Sequence, residues 1–153
     1  MKRITRYQAA ILHDDQILLL KVIDHETGHM YWVIPGGGQE ADETEEACVK
    51  REVWEETCLH VEVLNLILDE PGIDDRMYQR LKTYTCRITG GEPKPGCEPE
   101  VDTEDVATIQ DVGWFDLRNP STWDALALND PITYPLLQRI RAVLGYAPEA
   151  GTL

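Results

Sequence analysis

Positive charge is scarce in this chain: its 153 residues carry 14 Lys and Arg against 28 Asp and Glu, a formal net charge of -14 at pH 7. Such a surface repels phosphate backbones at long range, which argues against a sequence-independent grip on DNA or long RNA. Small phosphorylated ligands stay in play, because a divalent cation held by carboxylates inverts the local field. Long apolar runs are also missing. No stretch is long enough for a membrane span, and the first seven residues lead into a short alternating segment, not a signal peptide's apolar run. Cysteine is sparse, and Cys48, Cys58, Cys86 and Cys97 have neither the paired spacing of a zinc site nor the density of a disulfide scaffold. They read as reduced, structural thiols, with a cytoplasmic location as the default. At this length, with 42% hydrophobic residues, one core and a single domain over residues 1–153 are expected.

What is present alternates between strand and helix character. Tyr7 to Ile11 and Ile17 to Val22 are apolar segments around His13-Asp14-Asp15-Gln16, a hairpin pattern. The run Ile17-Leu18-Leu19-Leu20 is too continuously apolar for a half-exposed strand and predicts a sheet covered on both faces. Met30 to Ile34 reads as a strand ended by Pro35-Gly36-Gly37-Gly38, a turn whose glycines would take backbone angles closed to other residues. A helix is predicted from Thr44 to about Thr57, then strands from Val61 to Leu68 and Tyr78 to Ile88. Residues 89–100 are rich in Gly and Pro and predict a long loop able to fold over a site. Strand character returns over Val106 to Val112 and at Trp114 and Phe115. A final helix spans Ile132 to Leu144, broken near its start by Pro135. Strands interleaved with helices imply a layered α/β domain.

Glu52, Glu55 and Glu56 lie at i, i+3 and i+4, on one side of the predicted helix. Glu45 falls on the same side two turns earlier, and Ala47 and Trp54 lie opposite as core contacts. Arg51 can bridge Glu55 but cannot neutralise three carboxylates. One reading is a solvated acidic face. The other is a cation site beside the glycine segment, whose hard oxygen donors suit Mg²⁺ or Mn²⁺ better than zinc.

The spacing at these residues resembles the signature of the Nudix hydrolase family. It runs Gly37, Glu43, Arg51-Glu52, Val53, Trp54, Glu55-Glu56, Thr57, Cys58 and Leu59, preceded by Trp32-Val33-Ile34-Pro35-Gly36-Gly37. One position departs, since Cys58 stands where the family has glycine, in a left-handed helix exit that costs another residue about 1 kcal/mol. The resemblance implies an α/β/α sandwich with a mixed central β-sheet. It implies a metal-dependent pyrophosphohydrolase that cleaves a diphosphate linkage in a nucleotide or nucleoside-diphosphate conjugate by water attack. The alternative is a non-catalytic nucleotide-binding or regulatory domain of the same fold. By the same resemblance, Glu52, Glu55, Glu56 and the Gly37 carbonyl would hold Mg²⁺ or Mn²⁺, and Arg51 would pair with Glu43. A general base from outside the signature would be sought at Glu100, Glu104 or Asp111. Arg6, Arg76 and Arg80 are candidates for substrate phosphates, and Tyr7 and Tyr78 for stacking, although arginines at a surface and aromatics in a core are the stronger explanation for each. No membrane partner is expected, and homodimerisation is left open.

Overall fold

The first hairpin forms from β1 (Thr5–His13) and β2 (Gln16–Asp24), in register at Leu12 with Ile17 and His13 with Gln16. Between them Asp14 and Asp15 take φ of 47° and 66°, the left-handed pair whose twist matches the flanking strands. The computed structural model describes residues 5–72, 78–97 and 107–148. Among these, β3 (Met30–Val33) and β7 (Ala107–Asp116) each pair antiparallel with β2. On the other side β1 runs parallel to β6 (Arg80–Gly90), which pairs antiparallel with β5 (His60–Pro71). The sheet is therefore mixed, with strand order β3-β2-β1-β6-β5 and with β4 (Gly36–Gly38) attached to β1. Strands β5 and β6 each run two or three residues past their apolar segments, because ladder hydrogen bonds carry polar residues such as Asp69 and Glu70 along with them.

Helix α1 (Glu45–Thr57) lies on one face of this sheet. The short α2 (Ala125–Leu128) and α3 (Thr133–Leu144) lie on the other, which completes an α/β/α sandwich. The apolar run in β2 explains the layering. Successive strand residues face opposite sides, so Ile17 and Leu19 enter the core under α3 while Leu18 enters the core under α1. Trp32, Phe115, Trp123 and Tyr134 continue the first core as edge-on ring contacts with centroids 5.0, 6.4 and 6.1 Å apart.

Four expectations change. Gly36–Gly38 is a paired strand and not a turn, and none of its glycines has positive φ. Glycine serves close approach instead, since a Cβ on Gly36 would lie 2.5 Å from the Tyr7 carbonyl oxygen. Pro135 does not break α3. It is the third helical residue, where the missing N–H has no intrahelical acceptor to lose. On α1 the buried residues are Cys48, Val49, Val53 and Thr57, whereas Ala47 is exposed and Trp54 only partly covered. Finally, Cys58 and Cys97 form a disulfide across 39 positions, with Cα atoms 4.8 Å apart, so only Cys48 and Cys86 are free and buried. Nothing in local spacing announces that pair, because a folded-back loop brings it together.

Thr44 caps α1, its hydroxyl accepting the Ala47 N–H at 3.0 Å. Thr44→Ala is expected to lower the unfolding free energy by about 1 kcal/mol, read from the denaturant midpoint at unchanged slope. At the other end Cys58 takes φ of 65°, the left-handed exit expected where the resembling family has glycine.

Candidate active site

The buried stripe of α1 decides which glutamates are desolvated. Glu52 follows Cys48 by four residues and Val49 by three, and Glu56 follows Val53 by three, so both stand where the helix turns from core to solvent. The Glu52 side chain is 14% exposed and that of Glu55 29%. Gly37 lies directly under Glu52. A Cβ there would fall 2.0 Å from Glu52 Oε2, so the glycine is what gives that carboxylate its place.

Arg51 organises the acidic residues. Its Nε and Nη2 donate to Glu43 Oε2 and Oε1 at 2.6 and 2.9 Å, and Nη2 also reaches the Gly38 carbonyl at 3.0 Å. Nη1 faces Glu52 at 3.4 Å and Glu55 at 3.3 Å. One guanidinium thus joins the end of β4, the loop before the helix and the helix itself. The hydrogen bonds from Arg51 hold the Glu43 carboxyl far below its usual range, at about 2.

Glu56 sits in the opposite electrostatic situation. Its Oε1 accepts the Gly36 N–H at 3.0 Å, but burial pushes its pKa up to about 8, and the nearby Glu52 charge pushes the same way. Burial also raises Glu52. Arg6 draws both carboxyls back toward ionisation. Its guanidinium is already engaged, however, with Nη2 donating to the Ile34 carbonyl at 2.8 Å and Nε to Gln8 Oε1 at 3.1 Å. The pair Glu52 and Glu56 is therefore short of positive charge. A hard divalent cation is the species whose chemistry meets that need from carboxylate and carbonyl oxygen. Among the described residues no group of three His, Cys, Asp or Glu converges as a metal cage. Glu52 and Glu55 lean on Arg51 while Glu56 leans on Gly36, so the donor chemistry fits and the side chains would have to turn toward a shared ion.

The remaining sequence candidates scatter. Tyr7 is 6% exposed and packs under α1 with Ala9 and Ile11, so strand alternation places it in the core and withdraws it from base stacking. Arg80 is ion-paired with Asp69 across β5 and β6. Tyr78 lies just before β6. Asp111 is exposed on β7, its carboxylate accepting the Val112 N–H. Glu45 turns to Lys82 and Tyr84 on β6 and does not join the cluster. Arg76, Glu100 and Glu104 lie outside the described residues. What sequence reasoning missed is that Arg6 faces the buried glutamates, a position fixed by its pairing with Gly38 in β4. Within the loop expected over residues 89–100, the segment around Cys97 covers the end of α1. The Arg6 position has no local sequence signal.

A family model described as the NUDIX domain matches residues 4–139. The chain belongs to the NUDIX domain family. It is 45% identical over 53 residues to a MutT-like protein of Streptomyces ambofaciens, which covers 35% of this chain and 32% of that protein. It is 33% identical over 110 residues to an NAD-capped RNA hydrolase of Vibrio atlanticus, covering 72% of this chain and 36% of that one. The chain thus spans about a third of the length of these two relatives. A MutT NUDIX hydrolase structure from Burkholderia pseudomallei superimposes with a TM-score of 0.62 at 26% identity, over 92% of this chain and 98% of that one. Membership is of the domain family, and the fold is the one that its solved structures share. Among the described residues no helix is long and apolar enough to cross a membrane.

Proposed function

We propose that this chain is a Mg²⁺- or Mn²⁺-dependent pyrophosphohydrolase that cleaves a diphosphate linkage in a nucleotide or nucleoside-diphosphate conjugate. The observation that carries this reading is Glu56: a carboxylate held at the Gly36 N–H, raised to about 8 by burial beside Glu52, and lacking a free cationic partner among the described residues. Glu52, Glu55, Glu56 and the Gly37 carbonyl would hold the cation. When bound, it would lower the pKa of water and neutralise charge developing on the phosphoryl oxygens. The chain's own part is orientation. Arg51 keeps Glu52 and Glu55 on one side of α1, Gly37 leaves room for Glu52, and Arg6 supplies positive charge at the inner edge of the cluster. The net charge of -14 favours a small, metal-complexed nucleotide over long RNA or DNA. A cytoplasmic location accompanies this reading because nucleotide conjugates are pooled there.

The test is a panel of nucleoside-diphosphate conjugates with and without Mg²⁺, using ¹⁸O-labelled water. Mg²⁺-dependent release of two phosphate esters, one carrying ¹⁸O, supports the reading. Tight binding without turnover throughout the panel favours the non-catalytic alternative. Gly37→Ala should reduce kcat/KM by at least about tenfold by displacing Glu52, and wild-type kinetics in that variant would remove Glu52 from the metal site.

A further inference from the structure

The C-terminus of a helix leaves its last four carbonyls without intrahelical donors. In α1 three of these are taken by one short strap of chain. Lys94 N–H donates to the Thr57 carbonyl, Gly96 N–H to that of Glu56 and Cys97 N–H to that of Glu55, each at 2.8 Å. Gly91 lets the strap approach closely, with φ of 88° and a hypothetical Cβ only 2.5 Å from the Cys58 carbonyl oxygen. The Cys58–Cys97 disulfide closes the same contact covalently. Two of the three carbonyls belong to residues whose side chains form the acidic cluster, so whatever holds the strap also holds the backbone from which Glu55 and Glu56 project.

We propose that the Cys58–Cys97 pair is a redox-set brace that positions Glu55 and Glu56 through residues 94–97. Both cysteines are partly exposed, within reach of an exchange partner, whereas the free thiols of Cys48 and Cys86 are buried. The bond forms by exchange with a low-molecular-weight disulfide, RSSR. The Cys97 thiolate attacks one sulfur of RSSR and expels RS⁻, giving a mixed disulfide. The Cys58 thiolate then attacks the Cys97 sulfur and expels the second RS⁻. The protein loses two electrons, RSSR gains them, and the two cysteine protons end on two RSH. Reduction reverses both steps and replaces the covalent link with two thiols; in the bonded form the Cys58 sulfur lies 3.4 Å from the Gly96 carbonyl oxygen. In a cytoplasmic setting such a bond opens and closes with the thiol pool, in contrast to the permanent staples of secreted domains. The brace itself is independent of the proposed hydrolysis, and only its consequence for metal binding rests on that reading.

The test compares metal-free protein treated with a small disulfide and with a thiol reductant. Thiol titration in denaturant should count two in the oxidised form and four in the reduced form. Amide exchange at Lys94, Gly96 and Cys97 should quicken at least about tenfold on reduction, and Tm should fall by about 10 °C, as expected for a cross-link of this span in a domain of this size. Cys97→Ser should match the reduced wild type and ignore the oxidant. The midpoint for stabilisation by Mg²⁺ alone should be about 3–10-fold lower in the oxidised form, a difference that a purely stabilising cross-link would not produce. Four thiols after oxidant, or equal exchange and Tm in both forms, would overturn the brace. A changed exchange pattern with identical Mg²⁺ midpoints would overturn the positioning role. Failure of turnover with the brace intact would count against the hydrolase reading alone.

Discussion

Glu56→Gln is expected to lower Mg²⁺-dependent turnover by at least about 10²-fold while making the metal-free protein more stable at alkaline pH. The two effects share one cause. Burial places the folded-state pKa of Glu56 at about 8, above the 4.5 of a free glutamate. A carboxyl raised in this way contributes stability that is fully present below pH 4.5 and is lost as pH rises through 8. The whole shift corresponds to about 5 kcal/mol, and water at the partly exposed edge of Glu56 reduces this to about 2–3 kcal/mol. Metal-free wild type should therefore melt at a lower temperature at pH 8.5 than at pH 5.5, with Mg²⁺ removing much of the difference. The neutral amide of the variant should remove the Glu56 share of the pH dependence and weaken the response to Mg²⁺. Glu52 is raised for the same reason and adds in the same direction. Glu43 does not interfere, because a carboxyl lowered to about 2 loses its contribution only below the 4.5 of a free glutamate, as pH falls toward 2. Scanning calorimetry across pH 5–9 measures the effect. A flat profile for metal-free wild type, or full turnover in Glu56→Gln, would sink the assignment.

Arg51→Ala is expected to cost about 3 kcal/mol in unfolding free energy and to reduce turnover more than tenfold. The guanidinium is only 22% exposed and Glu43 12%, so truncation strands a largely desolvated carboxylate and the Gly38 carbonyl together. It also removes the cation that Glu52 and Glu55 share and sets their charges against each other. Arg51→Lys should fall between wild type and alanine, since it keeps the charge and loses the two-pronged bond to Glu43. Combining Arg51→Ala with Glu43→Ala should cost clearly less than the sum of the single changes, because the second removes the charge that the first leaves bare. Denaturant titrations give all four values. A loss below 1 kcal/mol for Arg51→Ala would mean that water replaces the guanidinium.

The acidic cluster and its helix were legible along the chain because their geometry is local. Helical periodicity alone places Glu52, Glu55 and Glu56 on one side, and the uninterrupted run from Ile17 to Leu20 alone requires cover on both faces of β2. Pattern also suffices for the hairpin, whereas a cysteine in the place of glycine put the helix exit in doubt, and only the structure shows it to be left-handed. Pattern could not show that Ala47 faces solvent, since the width of a helix's buried stripe depends on how the helix seats on the sheet. Nor could it show why Gly36 must be glycine, because the Tyr7 carbonyl that excludes a Cβ comes from a strand nearly thirty residues away. Local order along 153 residues determined which carboxylates stand together. Long-range pairing decided what they meet: Arg6 through β4, the Gly36 N–H, and a strap joined to the helix exit across 39 positions. Those contacts arise from chain closure around two cores, and closure leaves no period in a sequence.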